Sequence, residues 1–172
     1  MKIIDLSMDI YDGMDVFEGD PHVSIQTVHG YQSHSWRLSE LRMGSHTGTH
    51  VDAFSHMHEH MDSLSDIPLT RFIGEAQKVD THGDLPDNIG LIFEDYTDID
   101  ILEKILDKQP NFVAGNISED LERELLKHQI VSYTNLVNLN QLPYFKSFTF
   151  IGLPLKIREG DGSPVRAVAI LD

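Results

Sequence analysis

Five of the ten histidines fall in one short run, HTGTHVDAFSHMHEH, at positions 46, 50, 56, 58 and 60, with Asp52, Glu59 and Asp62 among or just after them. Imidazole and carboxylate are the side chains that hold zinc and similar divalent ions at neutral pH. The chain has no cysteine, so any metal must be held by His, Asp, Glu and water. His50 and Asp52 are two apart, which places them on one face of an extended strand where both can bind a single ion. His46 would reach the same ion across the small residues Thr47, Gly48 and Thr49, with Gly48 permitting a bend that a bulky residue would not. The two threonine hydroxyls are placed to orient the ligands. Any two of these histidines alone read equally well as polar surface residues; the combination with Asp52 favours a metal site. His58 and His60 lie beyond the compact run and read as surface residues held in reserve as ligands.

The elements that must position this run follow from periodicity. Residues 2 to 8 and 22 to 28 have strand character, separated by a turn-rich piece, YDGMDVFEGDP. Residues 34 to 43 place Trp36 and Leu38 inward and then change phase to Leu41 and Met43, the pattern of a strand with a bulge that delivers the chain to the histidines. Residues 72 to 80 and 89 to 94 read as strands. DIDILEKILDK spaces Ile101, Leu102, Ile105 and Leu106 as an amphipathic helix behind an Asp cap. Asn111 to Gly115 is a short buried strand, and SEDLERELLKH a second helix capped by Ser118, with Glu119 and Asp120 near the positive end of its dipole. The end, from Ser147 to Leu171, reads as two apolar runs joined by a turn, a β-hairpin with a long loop. The expectation is one α/β domain over residues 1–172, with more strand than helix.

Composition narrows the function classes. A net charge of -15, from 28 acidic and 13 basic residues, would repel phosphate backbones, so nucleic acid is not expected as a partner. No segment approaches the ~20 apolar residues that cross a bilayer, and Asp5, Asp9 and Asp12 interrupt the start before a signal-like apolar run forms. A small-molecule substrate and a cytoplasmic location are the expectation.

The stretch HTGTHVDAFSH, residues 46–56, resembles the HxGTHxDxPxH hallmark of the cyclase family, which includes bacterial kynurenine formamidases and isatin hydrolases. VFEGD, residues 16–20, is similar to an early substrate-side loop of that family, and GLPLKIREGDGSPVRAVAI to its closing hairpin. The resemblance implies a swivelling β/β/α fold with a mixed, strand-rich sheet, and assembly as a homodimer or homotetramer with neighbouring subunits contributing to the site. It implies that His46, His50 and Asp52 are metal ligands, that Asp52 can bridge two ions, that His56 transfers the proton, and that Phe17 contacts substrate. Three departures stand out: Phe54 replaces the motif proline, Glu122 stands where a metal-binding His is expected, and Thr134 where a Glu is expected. A carboxylate at Glu122 can still bind a divalent ion, whereas Thr134 is a poor ligand.

One or two ions, Zn²⁺ or Mn²⁺, are therefore expected, lowering the pKa of a water and polarising an amide or ester carbonyl. His56, whose imidazole titrates near neutrality, could carry the proton to the leaving group. The expected activity is hydrolysis of a small amide, formamide or lactam. A relative that binds metal or ligand without catalysis, and a cyclase or dehydratase using the same metal, stay open as alternatives.

Overall fold

The sequence LIF at residues 91–93 and FVA at 112–114 are apolar without alternation, which requires strands covered on both faces. In the computed structural model, which describes residues 1–171, they are central strands of a nine-stranded mixed sheet. Its strands are β1 (Lys2–Asp5), β4 (His50–Asp52), β5 (Ile73–Val79), β6 (Gly90–Thr97), β7 (Phe112–Ile117), β8 (Val131–Thr134), β9 (Ser147–Ile151), β10 (Gly162–Pro164) and β11 (Val168–Leu171). They run in the order β1-β11-β9-β5-β6-β7-β8-β4-β10, parallel from β5 to β8 and antiparallel elsewhere. The expected strand-rich α/β architecture with a mixed sheet and few helices is the one observed.

Two helices connect parallel neighbours: α2 (Leu102–Lys108) between β6 and β7, and α3 (Glu119–Lys127) between β7 and β8. Both begin as the sequence predicts. Asp98 accepts a hydrogen bond from the Ile99 amide at the 3₁₀ turn leading into α2, and the Ser118 hydroxyl accepts one from the Leu121 amide at the start of α3. Each helix lays an apolar stripe on the same sheet face, where Ile105, Leu121 and Leu125 pack on Leu91, Phe93 and Val113. The next residue along each strand points the other way, so Ile92, Phe112 and Ala114 join Tyr133, Phe150, Val51 and Phe54 in a second core. There the rings of Phe112, Tyr133 and Phe150 meet with centroids 4.6–5.4 Å apart.

Three expectations change. The first strand ends at Asp5 rather than residue 8, and the Leu6 amide bonds the Ala167 carbonyl beyond it. Residues 34–43 are not one inward-facing strand: helix α1 (Tyr31–His34) precedes β3 (Leu38–Arg42), which pairs only with β2 (Ser24–His29). The bulge lies in β2, between Thr27 and His29. Trp36, Leu38 and Leu41 are exposed, because the two-stranded arm has no second layer behind it. At the end of the chain, β9 and β11 form the expected antiparallel pair, but the long connection between them leaves to pair β10 with β4. That excursion reaches the histidine run.

Phe112 is the centre of the aromatic core, fully buried and close enough to Gly90 that a Cβ there would overlap its ring at 2.1 Å. Replacing Phe112 by Ala should cost about 3–5 kcal/mol, read as a lower urea midpoint at unchanged slope; a loss below about 1 kcal/mol would mean that the ring is not packed as described.

Candidate metal centre

β4 carries His50, Val51 and Asp52, and its antiparallel neighbours β8 and β10 cover it on both edges. Val51 turns into the core, which sends His50 and Asp52 together to the opposite face. The His50 Nε2 lies 3.6 Å from Asp52 Oδ1. Gly48 takes a left-handed φ of 64°, the bend expected ahead of the strand, and returns His46 to the same place. The His46 Nδ1 sits 2.6 Å from Asp52 Oδ1. Gly162 of β10, opposite Asp52 in the register, leaves the room for this: a Cβ there would stand 2.3 Å from the His46 ring.

His56 arrives from the 3₁₀ turn Phe54–His56 that follows β4. Its ring packs against that of His46 at a centroid distance of 3.9 Å, tilted by 34°. One nitrogen or carboxylate oxygen from each of His46, Asp52 and His56 falls within 4.8 Å of the others, the spacing of a metal-binding cluster. Glu122 projects from the first turn of α3; it accepts a hydrogen bond from the Ser132 hydroxyl of β8 at 2.6 Å and lies against Asp52. Of the sequence-predicted ligands, His46 and Asp52 belong to that cluster together with His56, while His50 and Glu122 stand next to Asp52 outside it.

Charge explains their protonation. Burial opposes a charge on His46, but the hydrogen bonds and charges of Asp52 and Asp161 outweigh it and hold the imidazolium up to about 9. Burial, joined by the charge of Asp52, pushes the Glu122 carboxyl up to about 8. His50 is driven below its ordinary value by burial, and His56 by burial and then by the charge of His46. The Nδ1–H of His50 donates to the Gly48 carbonyl at 2.7 Å, so its Nε2 lone pair faces the site, where the Thr134 hydroxyl donates to it at 2.9 Å.

These residues fit a divalent cation. Asp52 Oδ2 is buried with no donor facing it, and a second carboxyl, Glu122, stands against the same group. A cation or a shared proton satisfies that pair; two bare carboxylates would repel.

Other positions fall differently. The His58 Nε2 bonds the Arg123 carbonyl on α3 at 2.7 Å, and His60 is exposed beside Glu59, so neither joins the cluster. Thr49 does not orient a ligand; it accepts from the Met8 amide and donates to the Asn135 carbonyl, locking the bend to its surroundings. Phe17 is 76% exposed on a turn closed by the Asp20 amide to its carbonyl.

Two residues escaped the sequence reading. Asp161 bonds the His46 Nε2 at 3.0 Å and lies 3.8 Å from the His56 Nδ1. Ser132 holds Glu122. The only available hint of Asp161 was a carboxylate set between Gly160 and Gly162 in a segment read as a turn; its partner strand lies more than a hundred residues earlier.

The Cyclase family model matches residues 4–117. A kynurenine formamidase of Salinibacter ruber is 28% identical, over 98% of this chain and 97% of that protein. An uncharacterized protein of Methanocaldococcus jannaschii is 31% identical, over 99% of this chain and 100% of its own length. Among solved structures, isatin hydrolase A from Labrenzia aggregata superposes with a TM-score of 0.83 at 18% identity, covering 99% of this chain and 93% of that one. An isatin hydrolase bound to the product analogue thioisatinate gives 0.85 at 17%, covering 99% and 92%. With its model matched over most of the sequence and its fold reproduced end to end, the chain belongs to the Cyclase family.

Proposed function

We propose that this protein is a metal-dependent hydrolase of a small amide, formamide or lactam, of the kynurenine formamidase type. The observation that carries the reading is the gathering of His46, His50 and Glu122, from two separate segments, around the buried carboxylate of Asp52, whose Oδ2 has no hydrogen-bond partner. Full-length similarity to a kynurenine formamidase supports the choice of carbon–nitrogen bond. His46, His50 and Asp52 hold the ion, and Glu122 adds a carboxylate, a set suited to Zn²⁺ and also to Mn²⁺. A divalent ion bound there supplies a Lewis acid that polarises the carbonyl and acidifies a water.

The protein's own residues do the rest. His56 is held neutral at pH 7 by burial and by the neighbouring His46, so it can take a proton from the attacking water. It returns that proton to the amide nitrogen as the C–N bond breaks, leaving a carboxylic acid and an amine. The charge of Asp161, 3.8 Å away, favours the cationic form of His56 in between. Phe17, exposed on its turn, offers an apolar face to the substrate. Assembly as a homodimer or homotetramer belongs to the proposal; the exposed Val28, Tyr31, Trp36, Leu38 and Leu41 of the β2–β3 arm support it. No helix among the described residues is long and apolar enough to cross a membrane, in keeping with the proposed cytoplasmic location.

One observation favours a second reading. The Thr134 hydroxyl occupies the His50 Nε2, as it would in a relative that binds metal or ligand but no longer turns over. Variants separate the two when metal content and hydrolysis of N-formylkynurenine, isatin and simple esters are measured together. His50→Ala should lose both metal and activity, whereas His56→Ala should keep the metal and lose about 10²–10⁴ in kcat. Metal bound by the wild type with no turnover on any substrate would favour the second reading. Full activity in metal-free His50→Ala would exclude the first.

The protonation states predict a pH dependence for the metal-free protein. His46 and Glu122 both titrate higher in the fold than in the unfolded chain. Their contribution to stability is therefore present at low pH and lost as pH rises: for Glu122 from about 4.5 to about 8, and for His46 from about 6.5 to about 9. His50 and His56, shifted the other way, oppose this trend near pH 6.5 and have finished their effect about one pH unit higher, once the unfolded histidines are neutral. Between pH 6.5 and 8 the melting temperature of chelator-treated protein should fall, with a slope approaching about 1.4 kcal/mol per pH unit for each proton. Zinc should reverse this trend, since binding displaces those protons. A melting temperature that rises over the same interval without metal would refute the protonation scheme.

A further inference from the structure

A cavity of about 480 Å³ opens away from the metal centre, between the segment after the 54–56 turn and the C-terminal ends of α2 and α3. None of His46, His50, Asp52, His56 or Glu122 lines it. Its walls include Phe54, Ile67, Leu106 and Ile130, and the cationic side chain on it is Arg71. The volume lies in the range of small-ligand sites, which pair apolar walls with a few fixed polar groups.

Arg71 is the unusual member. It ends the 3₁₀ turn Leu69–Arg71, and one Nη donates to the Gln129 carbonyl just past α3. That bond fixes the guanidinium. Its Nε is buried and has no hydrogen-bond partner. Elsewhere Lys78, Lys108, Arg123, Lys127 and Arg166 each find a carboxylate, but among the described residues Arg71 has none within ion-pair distance. In a chain with 28 acidic and 13 basic residues, a half-buried arginine without an acid is suited to pair with an anion. Burial also draws the guanidinium below its ordinary value, an effect that an adjacent negative charge would offset.

The surroundings select the anion. A phosphate would need several donors and would meet Asp62, which also lines the cavity, as well as the net charge of the chain. A single carboxylate needs one guanidinium edge, and the apolar walls call for a hydrophobic body behind it. We propose that the cavity is a binding site for a small monocarboxylic acid with an aromatic or branched apolar body, its carboxylate paired with Arg71. Because Phe54 shares a turn with His56, the occupant touches the element that places His56. The site does not depend on which reaction the metal centre performs.

The test is a titration of zinc-loaded protein, methyl-labelled at Ile and Leu, with benzoate and separately with its neutral analogue benzamide, followed by NMR. Benzoate should give saturable shifts at Ile67, Leu106 and Ile130 that benzamide does not. Arg71→Gln should weaken that response at least about tenfold. Leu106→Trp, which fills the cavity from a half-buried helix position, should abolish it, and keeps the test decisive where Arg71→Gln fails to fold. No saturable shift at these methyls, shifts confined to the surroundings of His46 and Asp52, an equal response to benzamide, or unchanged affinity in the variants would overturn the proposal and leave Arg71 as a helix cap only.

Discussion

Two carboxyl groups, Asp52 and Glu122, face one another at the edge of the core, and the rest of the site is arranged around that confrontation. Both cannot be ionised without positive charge nearby. Without metal, the protein answers with a proton retained on Glu122 and a cationic His46 clasped between Asp52 and Asp161. A divalent ion does the same more fully. The structure therefore holds, in protonated form, the charge deficit that a metal would fill, and this explains how one set of residues can both fold and bind.

The scaffold supplies the confrontation from parts that are far apart in sequence. β4 is only three residues long, yet it is held by β8 on one side and β10 on the other. β8 brings Ser132 and Thr134, α3 brings Glu122, and the connection into β10 brings Asp161. The fully buried Val51 and Ala53 fix the strand from beneath, so His50 and Asp52 do not depend on loop order for their positions. Such support is what holds ligand geometry in a metal site.

Much of this was legible in the residues themselves. The period-two relation of His50 and Asp52, the glycine bend before them and the two capped helices are local signals, and each appears where its chemistry required. Glu122 could be placed only through family resemblance, since its own surroundings, Arg123 and Glu124, are those of an ordinary solvated helix. Asp161 and the exposure of Trp36 and Leu38 were not legible, for opposite reasons. Asp161 depends on a long-range strand pairing that leaves no periodic trace. The arm around Trp36 carries an alternating apolar pattern whose usual meaning, an inner face, fails because none of the described residues covers it.

The departures from the family pattern matter most at Glu122 and Thr134, where an imidazole and a carboxylate are replaced by a carboxylate and a hydroxyl. In the proposed function an ion still binds at His46, His50 and Asp52. X-ray absorption at the zinc edge of the loaded protein tests this most directly. It should show a mixed first shell of imidazole nitrogen and carboxylate oxygen at about 2.0–2.2 Å, with the outer-shell scattering of at least two imidazole rings. A shell of oxygen alone, with no imidazole scattering, would contradict it.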